Sequence, residues 1–506
     1  MRFIASRWRA ASKLLALLPA LGVFAFASFA STKPRYGGTL RLELLAPSVS
    51  LDPRTWRPGS RDFGANERLA ALVFDRLVSL DNFGRFTPQL ATEWSHEGSF
   101  KRWQFVLRGN VRFSDGTLLT ANDAANALAP LMPDGLKVSA SGSSLIFQST
   151  DSRPDLLELL ASGGLFVYRV APDGSLVGTG AFKQEDSTKN VKAPTPDAGT
   201  AQPTAQKLRF TANDSCWAGR PFLNAIEVSY GVPPLRALFD LQVGRAELVE
   251  LSPDVVRRAT QSNTRVWASA PLTIYALRFD DSLPADSSKK LREAFSLSLD
   301  RSTMAGVLLQ KQAEPAAALL PQWLSGYAFL FKAEMDLERA RDLRASLPLS
   351  VAGGTSPLRL QSDASGDLAR LLAERVAVNA RQASLAVQPL SKTTGAAELH
   401  LFAWRIESLS AGQELRNIAR EQRLEDSKEG NLADPDQRYA WERKILEDRK
   451  LMPLVAVPDY VGIGLTVRDW QPSPWGEWRI ADVWLEPASL QKNSAPVHAA
   501  PTGARP

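Results

Sequence analysis

Between Ser287 and Trp404 the chain switches repeatedly between two periodicities that no single conformation can satisfy. "SSKKLREAFSLSLD" puts Leu291, Ala294 and Phe295 on one helical face, and Asp300 stands at the N-cap position ahead of "RSTMAGVLLQ". "DLERARDLRASL" and "DLARLLAERVAVNARQA" are further amphipathic helices, each close to a strand pattern in "PLRLQSD" or "LAVQPL". Helices alternating with strands cover a sheet, so the expected fold class is α/β with mixed sheets. We find no repeat of fixed period.

The first half carries strand signals. "GGTLRLELLA" reads as an opening strand, followed by a Pro-rich irregular stretch, and Asn66 to Leu80 suits a helix running into a strand. In "KRWQFVLRGNVRF" the apolar residues Trp103, Phe105 and Leu107 alternate with polar ones, the period of a half-buried strand in a hairpin. "VRFSDGTLLTANDAANAL" then raises a question about chemistry, because Asp115 and Asp123 lie about two helical turns apart. Asp115-Gly116 is a tight-turn dipeptide. Thr120, three residues ahead of Asp123 at the start of an Ala-rich run, forms a capping-box pattern. Both carboxylates are therefore expected to hold structure rather than to form a catalytic pair. Residues 184–206 are poor in apolar bulk and read as a surface loop linking a strand at 181–183 to one at 207–212. The tail 488–506 has the same character and is expected to be disordered.

Arg2, Arg7, Arg9 and Lys13 precede an uncharged run from Leu14 to Ala30 that ends in Ser28-Phe29-Ala30. This is the pattern of an export signal cleaved after residue 30, shorter than the roughly 20 apolar residues of a membrane span. Removing those four basic groups lowers the formal net charge from +6 to +2. A nucleic-acid partner is not expected of so balanced a chain. Cys216 is the only cysteine, so stability must come from packing without an intramolecular disulfide. With no His near it in sequence, it reads as a small, partly apolar core residue.

The usual catalytic signatures are missing: no phosphate-binding Gly-rich loop, no nucleophile elbow, no H-E-x-x-H and no C-x-x-C. The histidines are His96, His400 and His498. No metal site and no cofactor are expected from that material, and His400, in the strand pattern "ELHLFAW", reads as structurally satisfied. Tryptophan is plentiful at 13 copies. Trp484 is expected in the core that closes the chain. Trp323 and Trp404, beside Gly, Pro or loop signals, suit the wall of a cleft.

Several stretches together resemble the bacterial extracellular solute-binding proteins of family 5, the peptide- and nickel-type proteins that feed ABC importers. They are "YGGTLRLELLAPSVSLDP", "VFDRLVSLDNFGRFTPQLATEWS", the Asp115–Asp123 segment, "VGTGAFK", "ANDSCWAGRPFL", "LREAFSLSLDRSTM" and "ILEDRKLMPLVAV". They keep the family's order from about residue 36 to residue 486. The resemblance implies a two-lobed clamshell of the type II periplasmic-binding-protein class. Lobe I would combine 37–60, 175–265 and 466–487, with 61–174 as an appended subdomain, and lobe II would span 266–465. A ligand would lie between the lobes, and closure would bury it.

Peptide-binding members carry an Asp a few residues after the Trp of this region. Here the stretch is "FAWRIESLSAG", with Arg405, Ile406 and Glu407. Glu407 is a candidate replacement, and Arg405 would meet an anion through its guanidinium fork. The segment between Ala127 and Ser143 is also short for the family. The ligand-binding candidates are Pro47, Ser48, Tyr275, Trp323, Tyr327, Trp404, Arg405 and Glu407, each aromatic also being a candidate for core packing. Gly178, Thr179 and Gly180 are expected to form a tight turn. The resemblance implies a monomeric, periplasmic or extracellular carrier, without enzymatic activity, of a peptide, peptide-like or anionic solute. Its partner would be an inner-membrane ABC permease. The alternatives are a degenerate binding protein acting as a sensor or docking protein, and a secreted hydrolase.

Overall fold

The computed structural model describes residues 33–487 except 58, 61, 186–205, 281–284, 349–355, 365, 391–396 and 425–430. The expected leader, most of the 184–206 loop and the tail 488–506 lie outside the described residues. One eleven-stranded sheet organises the chain. Its main strands are β1 (Thr39–Leu44), β2 (Phe182–Gln184), β3 (Gln206–Ala212), β4 (Ala225–Tyr230), β5 (Leu248–Leu251), β6 (Arg265–Phe279), β7 (Leu358–Ser362), β8 (Val387–Pro389), β9 (Leu399–Arg405) and β10 (Leu451–Ile463). In space they run β2-β3-β4-β1-β5-β10-β6-β9-β7-β8, and the short strand Glu314–Pro315 adds to β10.

The sheet has two halves. In the first, β1 lies parallel to β4 and β5, and its alternating Leu40, Leu42 and Leu44 are buried. They pack with helix α1 (Phe63–Val73), through Ala65, Leu69, Ala70 and Val73, into one core. In the second, β7 lies parallel to β8 and β9. Helix α3 (Asp367–Gln382) covers it with Leu368, Leu372, Val376 and Ala380, the i, i+4, i+8, i+12 face expected of an amphipathic helix.

Among the described residues of the sheet, β6 and β10 are the strands that join the halves. They run antiparallel from Arg265 opposite Ile463 to Arg278 opposite Leu451. At one end β10 also borders β5, with Leu251 opposite Tyr460, and at the other β6 borders β9, with Thr273 opposite Arg405. In between, the described sheet is two strands wide, and its register slips on both sides of Pro271, which faces Pro458. Proline offers no N–H to a ladder, so the ladder is interrupted at this crossing. A side chain substitutes for the ladder there: Ser269 Oγ accepts from the Asp459 N–H at 2.8 Å.

A separate four-stranded sheet, in the order Ala91–His96, Arg102–Leu107, Ser144–Ser149 and Leu136–Ser141, is built beside the first half. Trp103, Phe105 and Leu107 are buried in its core with helix α2 (Ala121–Leu128), as their alternation requires. Asp115 accepts from the Thr117 N–H (3.0 Å) and hydroxyl (2.7 Å), and Gly116 takes φ 89°. Thr120 Oγ1 accepts from the Asp123 N–H at 3.2 Å while Asp123 accepts from the Thr120 N–H at 2.9 Å, a complete capping box. Trp484 is buried and donates to Asp469 at 2.6 Å.

One expectation is corrected. The turn falls at Gly174 (φ 83°) and not at Gly178–Gly180. Those residues instead run flat against the end of α1, where Gly180 N–H donates to Val73 O at 2.9 Å. A Cβ on Gly178 would lie 1.9 Å from Val73 O, so glycine is required for close approach rather than for turn geometry. Thr179, fully buried between them, donates to Asp75 at 2.8 Å.

Thr120→Ala is expected to lower the unfolding free energy by about 1 kcal/mol through loss of a cap. Gly178→Ala should cost about 3 kcal/mol through backbone displacement. Urea midpoints of the two variants check that order.

Candidate ligand site at the two-strand crossing

Asp459 follows Pro458 at the crossing, so its side chain leaves β10 where the sheet is narrowest. Arg405, at the end of β9 in the second half, grips it in a two-pronged pair, both N–O distances 2.7 Å. Arg68 of α1, in the first half, bonds the same carboxylate and also Glu250 of β5. The Arg68 guanidinium lies 4.5 Å from the Trp478 ring centroid, as a cation over an aromatic face. Burial alone would raise the Asp459 pKa, but Arg405 and Arg68 hold it down at about 2. Burial likewise opposes charge on Arg405, and Asp459 overcomes it and keeps the guanidinium above its ordinary value.

Two glycines make room for this arrangement. A Cβ on Gly64 of α1 would lie 2.5 Å from Arg405 Nε, and one on Gly476 would lie 3.0 Å from Arg405 Nη2. Arg405 of one half therefore threads between two side-chain-free positions of the other.

Beyond Arg405 the chain leaves β9 as Ile406–Leu409 and enters helix α4 (Ala411–Glu421), capped by Ser410. This connection forms one wall of a small inner cavity of about 30 Å³. From the second half come Ile406, Glu407, Ser408, Leu409 and Trp323, and opposite them stand Glu67, Arg76, Ser162, Trp475 and Glu477. The Trp323 and Trp475 rings meet across the cavity with centroids 5.0 Å apart and planes at 37°. Trp323 is anchored by donating to Pro271 O at 2.8 Å, which ties the cavity wall to the crossing. A larger outer chamber, about 410 Å³, shares Ser162, Glu407 and Ser408 with the inner one. It is floored by Phe63, Leu131 and Leu165 and rimmed by Gln413, Asn417 and Arg420.

Glu407 is the partition between the chambers. It is 7 % exposed, and its Oε1 accepts from the Gly59 N–H of the first half at 2.7 Å. Glu414 on α4 accepts from the N–H groups of Glu407 (3.2 Å) and Ser408 (3.0 Å). Burial, then the neighbouring Glu414, pushes the Glu407 carboxyl well above the usual range. Burial pushes Glu414 up as well, against the two N–H groups that favour its charge. Burial also raises Glu67, although Arg76 lies 2.6 Å away.

The predicted site residues divide. Trp323 and Glu407 line the cavity. Arg405 turns both Nη atoms onto Asp459, while its Nε is buried without a hydrogen-bond partner among the described residues. Trp404 is 1 % exposed and packs on Phe402 in the core of the second half, since alternation along β9 turns it away from Arg405. Tyr275 packs against the largest core cluster. Tyr327 donates to buried Glu442 at 2.8 Å and packs edge-on to Tyr439, away from both chambers. Pro47 and Ser48 are exposed beyond β1, where Ser48 bonds Asp62. Sequence reasoning missed Glu67, Arg76, Trp475 and Glu477. Trp475, flanked by Pro474 and Gly476, carried the same signal that selected Trp323. The charged residues carried none, being ordinary helix and loop residues until the fold converges them. His400 bonds Asp363 at 2.9 Å, and no group of three or more potential metal ligands occurs among the described residues.

Two α/β halves joined by two continuous strands, with a walled cavity beside the join, define the two-lobed fold of the periplasmic-binding class. Residues 85–393 match the family model described as bacterial extracellular solute-binding proteins, family 5 Middle, and the chain belongs to that family. It is 22 % identical over 255 residues to the nickel-binding periplasmic protein of Escherichia coli, covering 46 % of this chain and 47 % of that one. It is 23 % identical over 297 residues to a probable D,D-dipeptide-binding periplasmic protein of the same organism, covering 56 % of each. These alignments span about half the length of the curated relatives. The fold superposes on an oligopeptide-binding protein of Bacillus subtilis in complex with a nonapeptide, with TM-score 0.68 and 16 % identity over 90 % of this chain and all of that one. No described helix is long and apolar enough to cross a membrane.

Asp459→Asn removes the charge facing two buried guanidinium groups and is expected to cost about 3–5 kcal/mol in urea unfolding at neutral pH. The pH dependence has two signs. Asp459 is depressed, so its contribution is present at neutral pH and lost as pH falls from about 4 toward about 2. Glu407, Glu414 and Glu442 are raised, so the stability tied to their protonated forms is complete below the ordinary carboxylate range. It is lost as pH rises, through about 7 for Glu442. The urea midpoint should therefore fall from about pH 5 toward pH 8, with a shallower fall in Glu414→Gln.

Proposed function

We propose that the protein is an exported, non-enzymatic solute carrier that captures a small ligand between its two lobes and presents it to an ABC permease. The observation that carries this reading is the inner cavity, whose opposite walls come from opposite sides of the two-strand crossing. Rotation about that crossing opens the cavity without breaking either core. The lobe partition we adopt is the one implied by the family resemblance: 37–60, 175–265 and 466–487 against 266–465, with 61–174 appended. The packing of α1 into the core of β1 and β4 adds a contact between the appended segment and its lobe.

Periplasmic location, export through the N-terminal leader and partnership with a permease are carried by family membership and by the periplasmic relatives. Binding without turnover is supported by the uses of Asp115 and Asp123, which are committed to a turn and a helix cap. Wall residues proposed to touch ligand are Trp323, Trp475, Glu67, Glu407 and Ser408, and Arg405 positions the wall from behind.

Small-angle scattering of the full chain with a panel of peptides, sugars, amines and metal ions tests this. A saturable fall in radius of gyration is expected with at least one class, and the ligand should be recovered unaltered. Compaction with none, or chemical conversion of a bound compound, overturns the carrier reading.

A further inference from the structure

The helix Pro234–Gln242, far in sequence from the cavity, is apolar on two sides. Its inward residues Ala237, Leu238 and Leu241 pack in one cluster with β5 and with Val255, Val256 and Ala259 of the helix Pro253–Gln261. Its outward side carries Leu235 and Phe239, and Val243 follows at its end. These three stand at i, i+4 and i+8 and so form one stripe, and they are 56 %, 47 % and 50 % exposed. One apolar face is enough to build a core. A second, left continuous in water, marks a surface that something covers.

The charges that reach the surface around the stripe are almost all positive. Arg236 and Arg245 flank it with their side chains mostly exposed, and the acid they share, Asp240, is buried beneath them. The Arg245 guanidinium lies 5.7 Å from the Phe239 ring centroid. On the neighbouring helix Arg257 and Arg258 are exposed and have no ion pair among the described residues, and Asp254 is the one exposed acid of the two helices. Gln242 Nε2 donates to Ser262 Oγ at 2.7 Å, which ties the ends of the two helices side by side. Since both bury their inner faces in one cluster, their outer faces form one layer. The segment 186–205, outside the described residues, has Val191 as its one large apolar side chain, too little to cover three.

We propose that this face docks reversibly on an anionic lipid surface. Leu235, Phe239 and Val243 enter the boundary between headgroups and acyl chains, and Arg236, Arg245, Arg257 and Arg258 meet the phosphates. An apolar ridge edged by arginines is the arrangement that holds an amphipathic helix in a membrane interface, where apolar burial and attraction to anionic lipid add. The shape favours lipid over a folded partner: a fluid surface takes up side chains standing out of a convex ridge and supplies phosphate wherever a guanidinium falls. The assignment goes beyond the carrier reading and is independent of what the cavity holds.

Co-sedimentation of the exported protein, its leader removed, with vesicles of equimolar phosphatidylglycerol and phosphatidylcholine, and with phosphatidylcholine alone, tests the assignment. Binding to the anionic vesicles should saturate, be at least tenfold tighter than to the neutral ones, and weaken as salt rises. Phe239→Ser should weaken it at least fivefold. Arg257→Gln combined with Arg258→Gln should weaken it several-fold and flatten its salt dependence. All three positions are exposed, so the urea midpoints of these variants should stay close to that of the parent. Equal affinity for neutral vesicles, undiminished binding by folded Phe239→Ser, or no vesicle binding at all overturns the assignment. In the last case, self-association that Phe239→Ser abolishes would give the stripe to a second copy of the chain, and permease capture that it abolishes would give it to a protein partner. The carrier reading is judged by the scattering panel and stands or falls apart from this result.

Discussion

Asp459 is bonded at once by an arginine from each half of the molecule, at the place where the sheet narrows to two strands. Arg68 reaches it from the first half and Arg405 from the second. Two carboxylates and two guanidinium groups, counting Glu250, form a chain in which each charge faces an opposite one. Desolvating such groups costs several kcal/mol per ion, and the cost is offset only when the geometry is good and all members are present. The network therefore adds little net stability when intact but strongly disfavours any arrangement that separates its members. It sits beside the two-strand crossing.

The clamp also sets which charges face the cavity. By absorbing Arg405, Asp459 takes away the positive charge that the sequence offered to the ligand site, and the connection after β9 presents Glu407 instead. Glycines at 64 and 476 permit it, since a methyl group at either position would meet the guanidinium. The character of the cavity is thus a consequence of how a buried ion network was satisfied a few residues away.

Local features were the most legible. The Thr120–Asp123 box, the Asp115–Gly116 turn, the alternation in Arg102–Leu107 and the stripe of α3 each involve neighbours a few residues apart, so the chain itself states the geometry. The "GTG" segment shows where that reasoning stops. Its glycines were read as turn formers, yet they answer to the Val73 carbonyl, about a hundred positions away in sequence. Trp404 was misplaced for a related reason. Its neighbours resemble a loop, but the strand extends through Arg405, and alternation then sends one of the pair to the core and the other to the clamp.

The sequence by itself determined the α/β class, the family, and the helix caps and strand faces, because these depend on periodicity and on ordered motifs along one chain. Tertiary structure alone decided which charges would find each other. Arg68, Glu250, Arg405 and Asp459 are spread over nearly four hundred residues, and Glu67, Glu407 and Glu477 over slightly more. A charge's role depends on its nearest opposite charge and on how much water remains around it. Both are properties of three-dimensional packing, and neither is written in the spacing of residues.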